Sequence, residues 1–412
     1  MARKKIDPKV KQLVKDFLEV YDPKTAGDIT SGLKDLLGPV IQDMMEAEFE
    51  GHMGYDKNSH EEKDTDNRRN GSYPKTLKST FGEFDIDVPR DRDASFNPDV
   101  IPKGQRDISG IEEKIIAMYG KGMSQRDISD TVQDIYGFSA SHELISNVTD
   151  KIIDWINDWQ NRPLQACYPF VFVDCMYVTV KDTIKTTKRA VYTILGYDLK
   201  GFKEVLGVWI GEESESAHFW LNIFDELKTR GVEDIFFMSM DGLTGLEKGV
   251  KTVFPNAVVQ RCIVHLVRNA LKFVPSKDYK EFTKDLKTIY QATNLEEATH
   301  NFNKLKENWE KYNGAISVFE RNWIHIEQLF DYPKAIRKLM YTTNAIESVH
   351  SSFRKVTDRK GAFPNDKSLM KLIYLRIQDM SKKWTKPIQN WPTVLNEFLI
   401  IDQFKERITK YL

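Results

Sequence analysis

Two aspartates stand where an aspartate is costly. Asp174 lies inside the apolar run FVFVDCMYVTV, between Phe172-Val173 and Cys175-Met176, and Asp241 closes a second run, DIFFMSMDG, directly before Gly242. A carboxylate in a buried strand must pair or bind a cation. The carboxyl edge of an α/β sheet is also where such folds bind their ligands. Two carboxylates side by side in a dry site repel, which raises one pKa; a divalent cation removes the conflict. Oxygen donors with few His or Cys around them favour Mg²⁺ or Mn²⁺ over zinc. Taken singly, each has a plainer explanation. Asp174 can pair with a buried Lys or Arg, and Asp241 can cap the helix that follows it.

Spacing does not select a third carboxylate, but charge draws attention to Glu347. Residues 334–360 hold seven Lys or Arg against Glu347 and Asp358, a net +5. Glu347, Ser351 and Arg354 share one helical face, and a basic face beside a metal-binding carboxylate suits a phosphodiester. Arg354, Lys355, Arg359 and Lys360 are then the candidate phosphate contacts. A solvated helix with incidental charge pairs fits the same residues. Cys262 and His265 form a lone C-x-x-H, whereas structural zinc needs four ligands and no second pair stands at ligand spacing. His265, in the first turn of a helix beginning at Ile263, is expected to touch DNA or orient a neighbour, with a satisfied core histidine as the plain alternative. Cys262 is expected to pack.

The elements that must hold these residues follow from pattern. Val10, Leu13, Val14, Phe17, Leu18 and Tyr21, then Leu33, Leu36, Leu37, Val40, Ile41 and Met44, recur at helical spacing. A polar stretch from Asp56 to Ser72, with His60, Arg68 and Arg69, reads as a linker. KTLKST and EFDIDV flank Phe81-Gly82 as a β-hairpin ended by Pro89. Residues 107–162 turn helical: Ser124 with Asp127 caps one helix, Gly137 ends it, and Ser139 or Ser141 starts another through HELISNVTDKIIDWINDW. That is a helix-turn-helix pattern, although an ordinary helical hairpin has the same signature. Arg126 and Lys151 are its candidate phosphate contacts. From Tyr168, three strand-like runs and then alternating helix and strand predict a mixed sheet. A helix from Leu243 to Phe254 precedes the strand AVVQRC, and residues 277–340 are helical.

Composition bounds the class. The chain has 412 residues, 41% hydrophobic and 29% charged, which excludes disorder and fibrous classes. Sixty basic residues against sixty-one acidic ones leave a net charge of -1, so a uniformly basic coat is excluded and local basic patches are not. Three cysteines, Cys167, Cys175 and Cys262, are too few for a disulfide framework and fit a reducing cytosol. No apolar run reaches the length of a membrane span, and the charged start MARKKIDPKVK is unlike a secretory signal. The expected location is the cytoplasm, in association with the nucleoid.

The strings RNGSYPKTLKSTFGEFDIDVPRDRDASFNP, YGKGMSQRDISD, FWLNIFDELKTRGVEDI, MDGLTGLEKGVKTVFPNAVVQRCIVHLVRNAL, YTTNAIESVHSSFRKVT and GAFPND, in this order, resemble the bacterial Mutator-type transposases. The resemblance runs from about residue 50 almost to the end. It implies a DDE transposase with a ribonuclease-H-like α/β core, a helical insertion between the second aspartate and the glutamate, and a mostly helical N-terminal DNA-binding region with a β-hairpin. The implied catalytic and metal-binding triad is Asp174, Asp241 and Glu347, holding two Mg²⁺ (or Mn²⁺) ions, and the family's C/D-x-x-H motif falls on Cys262 and His265. Cys175 stands where a small residue is usual. His350 and Ser351 replace other polar residues, and no role is assigned to them.

On this reading the segments are 1–70, a helical region and linker; 71–106, the hairpin; 107–162, the DNA-binding helices; 163–276, the first part of the core; 277–340, the insertion; and 341–412, its completion with C-terminal helices. The expected partners are DNA, as terminal inverted repeats and target, and a second copy or more of the chain, since two element ends must meet. Two other classes compete: a non-catalytic DNA-binding protein, which has no use for costly carboxylates beside DNA, and a metal-free two-carboxylate hydrolase, which has no use for the basic helix. Loss of activity on DNA in EDTA separates the three.

Overall fold

The structure, a computed structural model, describes residues 7–55, 57, 65–79, 81–106, 110–136, 140–181, 186–211, 216–242, 245–341 and 344–412. The chain divides into two compact units, Met1–Tyr119 with Met123–Thr149, and Gly120–Gly122 with Asp150–Leu412.

In the first unit, a helix over Ala26–Met53 starts at a reciprocal capping box between Thr25 and Asp28. Its Ile41, Met45, Phe49 and Met53 pack on Leu77, Ile86 and Val88 of an antiparallel pair, β1 (Arg69–Ser79) and β2 (Gly82–Asp91). Gly82 makes the turn at φ +115°. The hairpin is longer than its alternation predicts. Arg69 to Ser72, expected in the linker, belong to β1, and Pro89, expected to end β2, lies inside it opposite Ser72. Both strands of a two-stranded sheet are edges, where a missing N–H need not break a ladder. His60 lies outside the described residues.

Helices over Ile111–Gly120, Gln125–Tyr136 and His142–Asp150 follow. Ser124 Oγ accepts from the Asp127 amide at 3.1 Å while Asp127 accepts from the Ser124 amide at 3.2 Å, the expected cap. Ser141 caps the last helix through the Leu144 amide, and Ser129 Oγ donates to the Ala140 carbonyl at 2.7 Å, tying the helices together. The intervening Gly137 and Ser139 lie outside the described residues. The long helix expected through HELISNVTDKIIDWINDW is two: one ends at Asp150 and the next spans Ile152–Asn161. Thr149 Oγ donates back to the Ser146 carbonyl at 3.0 Å, a bond that competes with the helix ladder.

The second unit is built on a five-stranded mixed sheet, β3 (Cys167–Lys181), β4 (Thr186–Tyr197), β5 (Lys203–Gly211), β6 (Asp234–Met240) and β7 (Val258–Arg261), in the order β5-β4-β3-β6-β7. β4 runs antiparallel to β3 and β5, while β3, β6 and β7 are parallel. Side chains alternate across β3. Val171 and Val173 join Trp220 and Phe224 of the Ala217–Thr229 helix in one core layer, while Phe170 stacks on Phe237 and meets Phe398 of the Trp391–Ile400 helix on the other. A sheet buried on both faces needs such near-continuous apolar strands.

Helices fill residues 279–341 as expected, from Tyr279–Tyr290 to Lys334–Tyr341, and Asn344–Lys360 and Asp366–Ser381 follow. The C-terminal helical tract is interrupted between Asp366–Ser381 and Trp391–Ile400, and Pro392 lies in the first turn of the second helix, where its missing N–H is tolerated. Among the described residues, no helix is long and apolar enough to cross a membrane.

The C-terminal helix Asp402–Thr409 is fastened by Arg407, whose Nε and Nη2 reach both oxygens of Asp234 at 3.0 and 2.5 Å, with both side chains largely buried. Removing one partner strands the other. Arg407→Ala is therefore expected to cost about 2–3 kcal/mol of stability, measured as a lower midpoint in urea unfolding.

Candidate active site

β3 and β6 are in register with Val173 opposite Met240, so the next residues on these neighbouring strands are Asp174 and Asp241. The register thus brings these two residues to neighbouring positions where the parallel strands β6 and β7 end. Neither plainer explanation holds. The helix after Asp241 spans Leu246–Val253 with Gly245 at its N-cap, so Asp241 does not cap it. Its Oδ1 accepts from the Gly242 amide at 2.7 Å instead, and Arg261 Nη1 donates to its backbone carbonyl at 3.2 Å. Asp174 is 7% exposed, and among the described residues its partners are two histidines rather than a Lys or Arg.

Those histidines come from two helices. His350, on Asn344–Lys360, places Nδ1 3.1 Å from Asp174 Oδ2, and His265, on Ile263–Leu271, places Nε2 3.5 Å from Oδ1. His350 is itself 1% exposed, with Nε2 3.2 Å from Thr193 Oγ1 on β4. Burial pushes the Asp174 carboxyl up. The His350 hydrogen bond and charge, with the His265 charge, outweigh it and leave the carboxyl below its ordinary value. The neighbouring Cys175 thiol is pushed up to about 12, by burial first and then by the Asp174 charge, so it stays an unreactive thiol.

Glu347 lies one turn before His350, and Arg268 one turn after His265. The two pair with each other, so the same helices meet twice: through the histidines at Asp174 and through this ion pair a turn away. The far end of the Glu347 helix is also tied to β3. Phe363 exchanges backbone bonds with Thr179 and Lys181 at 3.0 and 2.7 Å, which docks the GAFPND string beyond Asp174. Gly122, at φ +88°, lets a further segment approach that helix, for a Cβ there would lie 3.0 Å from the Val356 carbonyl.

The oxygen donors of Asp174 and Asp241 fit a hard divalent cation; the Asp174 oxygens are met here by the two imidazoles and by the Cys175 amide at 2.9 Å. Glu347 fits once released from Arg268. As they stand, no three His, Cys, Asp or Glu side chains among the described residues are placed to hold a metal ion.

Of the other candidate residues, Arg354, Lys355 and Arg359 are exposed along the Glu347 helix. Lys360 differs: it is half-buried over the Phe363 ring, and burial, then the Lys371 charge, brings its ammonium down to about 8. Arg126 is exposed in the first unit, whereas Lys151 sits between two helices at the start of the second. Cys262 is buried and caps its helix, its sulfur accepting from the His265 amide. His350, Thr193 and Arg268 were missed by sequence reasoning. The only available signal was the three-residue spacing of Glu347 and His350, which sets both on one helical face.

A family model described as Transposase, Mutator family, matches residues 9–387, and the chain belongs to that family. A probable transposase for an ISRM3-like insertion sequence element of Sinorhizobium fredii is 37% identical over 399 residues, covering 96% of this chain and 98% of the relative. The transposase for insertion sequence element ISRM3 of Rhizobium meliloti is 36% identical over the same shares. DNA transposition is therefore the activity class, and DNA the partner. A solved Drosophila P element transposase strand transfer complex aligns at 10% identity and a TM-score of 0.37, over 65% of this chain and 92% of that one, a likeness too slight to bear on the fold.

The depressed Asp174 carboxyl sets the sign of a pH effect. Its stabilising contribution is present above the unfolded value of 3.8 and is lost as pH falls through the lower folded value. His350→Ala, which removes the main cause of the depression, is expected to cost about 1–3 kcal/mol at neutral pH. The deficit should shrink as pH drops below 3.8, measured by comparing wild-type and variant unfolding across pH.

Proposed function

We propose that the chain is a DDE-type transposase of a bacterial insertion sequence, with a ribonuclease-H-like core, that binds terminal inverted repeats and catalyses metal-dependent strand cleavage and strand transfer. One observation carries this reading: Asp174 on β3 and Asp241, directly after β6, each follow the in-register pair Val173–Met240 of two neighbouring parallel strands, in a five-stranded sheet in which only β4 is reversed. A ribonuclease-H-like sheet has that order, with aspartates on its first and fourth strands brought together.

Asp174, Asp241 and Glu347 would hold two Mg²⁺ or Mn²⁺ ions. Such ions neutralise phosphate charge and activate the attacking oxygen. His350 holds the Asp174 carboxylate in one orientation from a site closed to water. Glu347 joins the set by giving up Arg268, and the released guanidinium, 52% exposed, is then free to meet a phosphate. Arg354, Lys355 and Arg359 extend the cationic surface along the helix, and Lys360 contributes less, being half-buried. His265 acts chiefly as an orienting partner of Asp174. Hydrolysis at the element's end breaks a P–O bond and frees a 3′-hydroxyl. That hydroxyl then attacks a phosphodiester of the target, forming one P–O bond as another leaves. No covalent bond to the protein is needed, so its groups supply position and charge neutralisation.

Terminal-repeat binding would fall to the helices around Arg126, with Lys151 a further phosphate contact, and a homodimer or larger assembly would hold the two ends. The cytoplasm, at the nucleoid, is the fitting location.

Asp174→Asn and Asp241→Asn are each expected to abolish cleavage of labelled terminal-repeat DNA in Mg²⁺ while end binding persists in a mobility-shift assay. Cleavage retained by Asp241→Asn, or wild-type cleavage insensitive to EDTA, would remove the triad. Arg126→Ala should weaken binding evenly across sequences and reduce the salt slope of the affinity by about one. An unchanged slope would take Arg126 off the DNA.

A further inference from the structure

The helix Tyr279–Tyr290, in the insertion, sorts its charges onto two flanks. Phe282, Leu286 and Ile289 form its buried face. On one side of that face, Asp278 at the N-cap and Asp285 are met by neighbouring elements. Asp278 accepts from the Tyr312 hydroxyl and pairs with Lys311 at 3.5 Å, and Asp285 accepts from Trp309 Nε1 at 2.8 Å. On the other side, Lys280, Lys284 and Lys287, spaced by four and three, form an exposed row. Elsewhere in the insertion Lys306 and Lys311 pair with carboxylates, whereas among the described residues no carboxylate pairs with these three. Like charges at this spacing repel along a helix, and Lys280, in the first turn, also opposes the helix dipole. Folding gains nothing from the row; a polyanion would.

Both ends of this helix return to the residues around Asp174. It follows the Ile263–Leu271 helix, whose Arg268 meets Glu347 and which is continued by the exposed Lys272. Its own end rests on the Lys334–Tyr341 helix. Arg337 donates to the Ala292 and Thr293 carbonyls at 3.0 Å each, and the Tyr290 ring meets Tyr341 at 5.5 Å. Tyr341 stands three residues before the helix that carries Glu347. Lys287 lies one turn before Tyr290 and shares its side of the helix, so the lysine flank is the one turned toward Tyr341, and the acidic flank the one turned toward Trp309. From Lys280 to Lys287 the row is about 10 Å long, the axial length of about three successive phosphates on one DNA strand.

We propose that Lys280, Lys284 and Lys287 bind the sugar–phosphate backbone of the duplex that adjoins the reacting phosphodiester, a contact separate from terminal-repeat recognition around Arg126. Ammonium groups on flexible stems meet phosphates as point charges and do not read bases, so this surface takes flanking or target DNA of any sequence. Its placement rests on the reaction site proposed at Asp174 and Asp241; the binding itself does not, and it is measured without metal.

The full chain is titrated in EDTA with a random-sequence duplex over a range of salt. Lys280→Gln, Lys284→Gln and Lys287→Gln together are expected to reduce the slope of log K against log salt by about three and to weaken binding roughly a hundredfold at about 0.1 M salt. Gln has nearly the helix propensity of Lys, and Arg at the same three positions should retain the slope. Lys382→Gln, Lys383→Gln and Lys386→Gln, a charge-matched control at exposed lysines outside the insertion, should change affinity by about twofold or less. Ethylation interference on a labelled terminal repeat with its flank, also in EDTA, should show the first variant losing phosphates beside the cleavage position and keeping those inside the repeat. An unchanged slope, an equal loss in the control, a loss shared by the Arg variant, or lost phosphates only within the repeat would each overturn the proposal. No cleavage is needed for these measurements, so an Asp241→Asn variant that still cleaves would remove the triad and leave the lysine surface standing.

Discussion

A charge held inside the central strand governs the second unit. An ionised carboxylate in that position costs several kcal/mol unless its oxygens are met, and Asp174 is met from both sides by imidazoles on separate helices. Each imidazole fixes its helix in rotation and height, because a histidine side chain is short and its ring must arrive with a nitrogen in reach. The Asn344–Lys360 helix is further constrained by Thr193 beneath His350 and by the Phe363 bridge at its far end. The placement of Glu347 is thus a consequence of satisfying Asp174. It sits one turn from a histidine that has almost no freedom to move.

The first unit obeys a different economy. Its sheet has two strands and one covering helix, and its core is correspondingly small, centred on Met45, Phe49 and Leu77. The sharpest local bonds are at turns and caps: Thr25 with Asp28, Ser124 with Asp127, and Asp91, whose buried carboxylate collects Ser95, Asn67 and the Phe96 amide. Such bonds fix where elements begin and end, while the later helices of the unit bury apolar side chains of their own, Ile115, Ile128, Val132, Ile145 and Val148.

Much of the architecture was legible because the chemistry is one-dimensional. Short apolar runs rich in Val, Ile and Phe marked β3 to β7, and a carboxylate inside one of them marked Asp174 without reference to any partner. The caps at Ser124 and Ser141 were readable because they act over three residues. What escaped needed distance information. Nothing near His350 in the sequence indicates Asp174, 176 positions earlier on another element, and a histidine on a helix is usually a packed side chain. The Arg268–Glu347 pair spans 79 residues and is equally silent. The break at Lys151 escaped because the apolar period continues through it; only the Thr149 hydroxyl bond distinguishes the two helices. The extra length of β1 escaped because an edge strand requires backbone partners and no particular side chains.

The two helices clamped at Asp174 are also the two ends of everything between residues 272 and 343. Because the sheet side fixes these ends against each other, the entropy of closing that long excursion is met once, at the clamp. Each doubling of a closed loop adds only about 0.6 kcal/mol, so residues added in a turn between these helices cost the strands little. Other tethers hold the middle of the excursion: the Gln260 amide donates to the His325 carbonyl at 2.8 Å, the Tyr332 ring packs on Phe237 of β6, and the Ile336 amide donates to Glu397 at 3.2 Å. Length can therefore change between these tethers, in the turns that join the helices, while the carboxylates stay where they are.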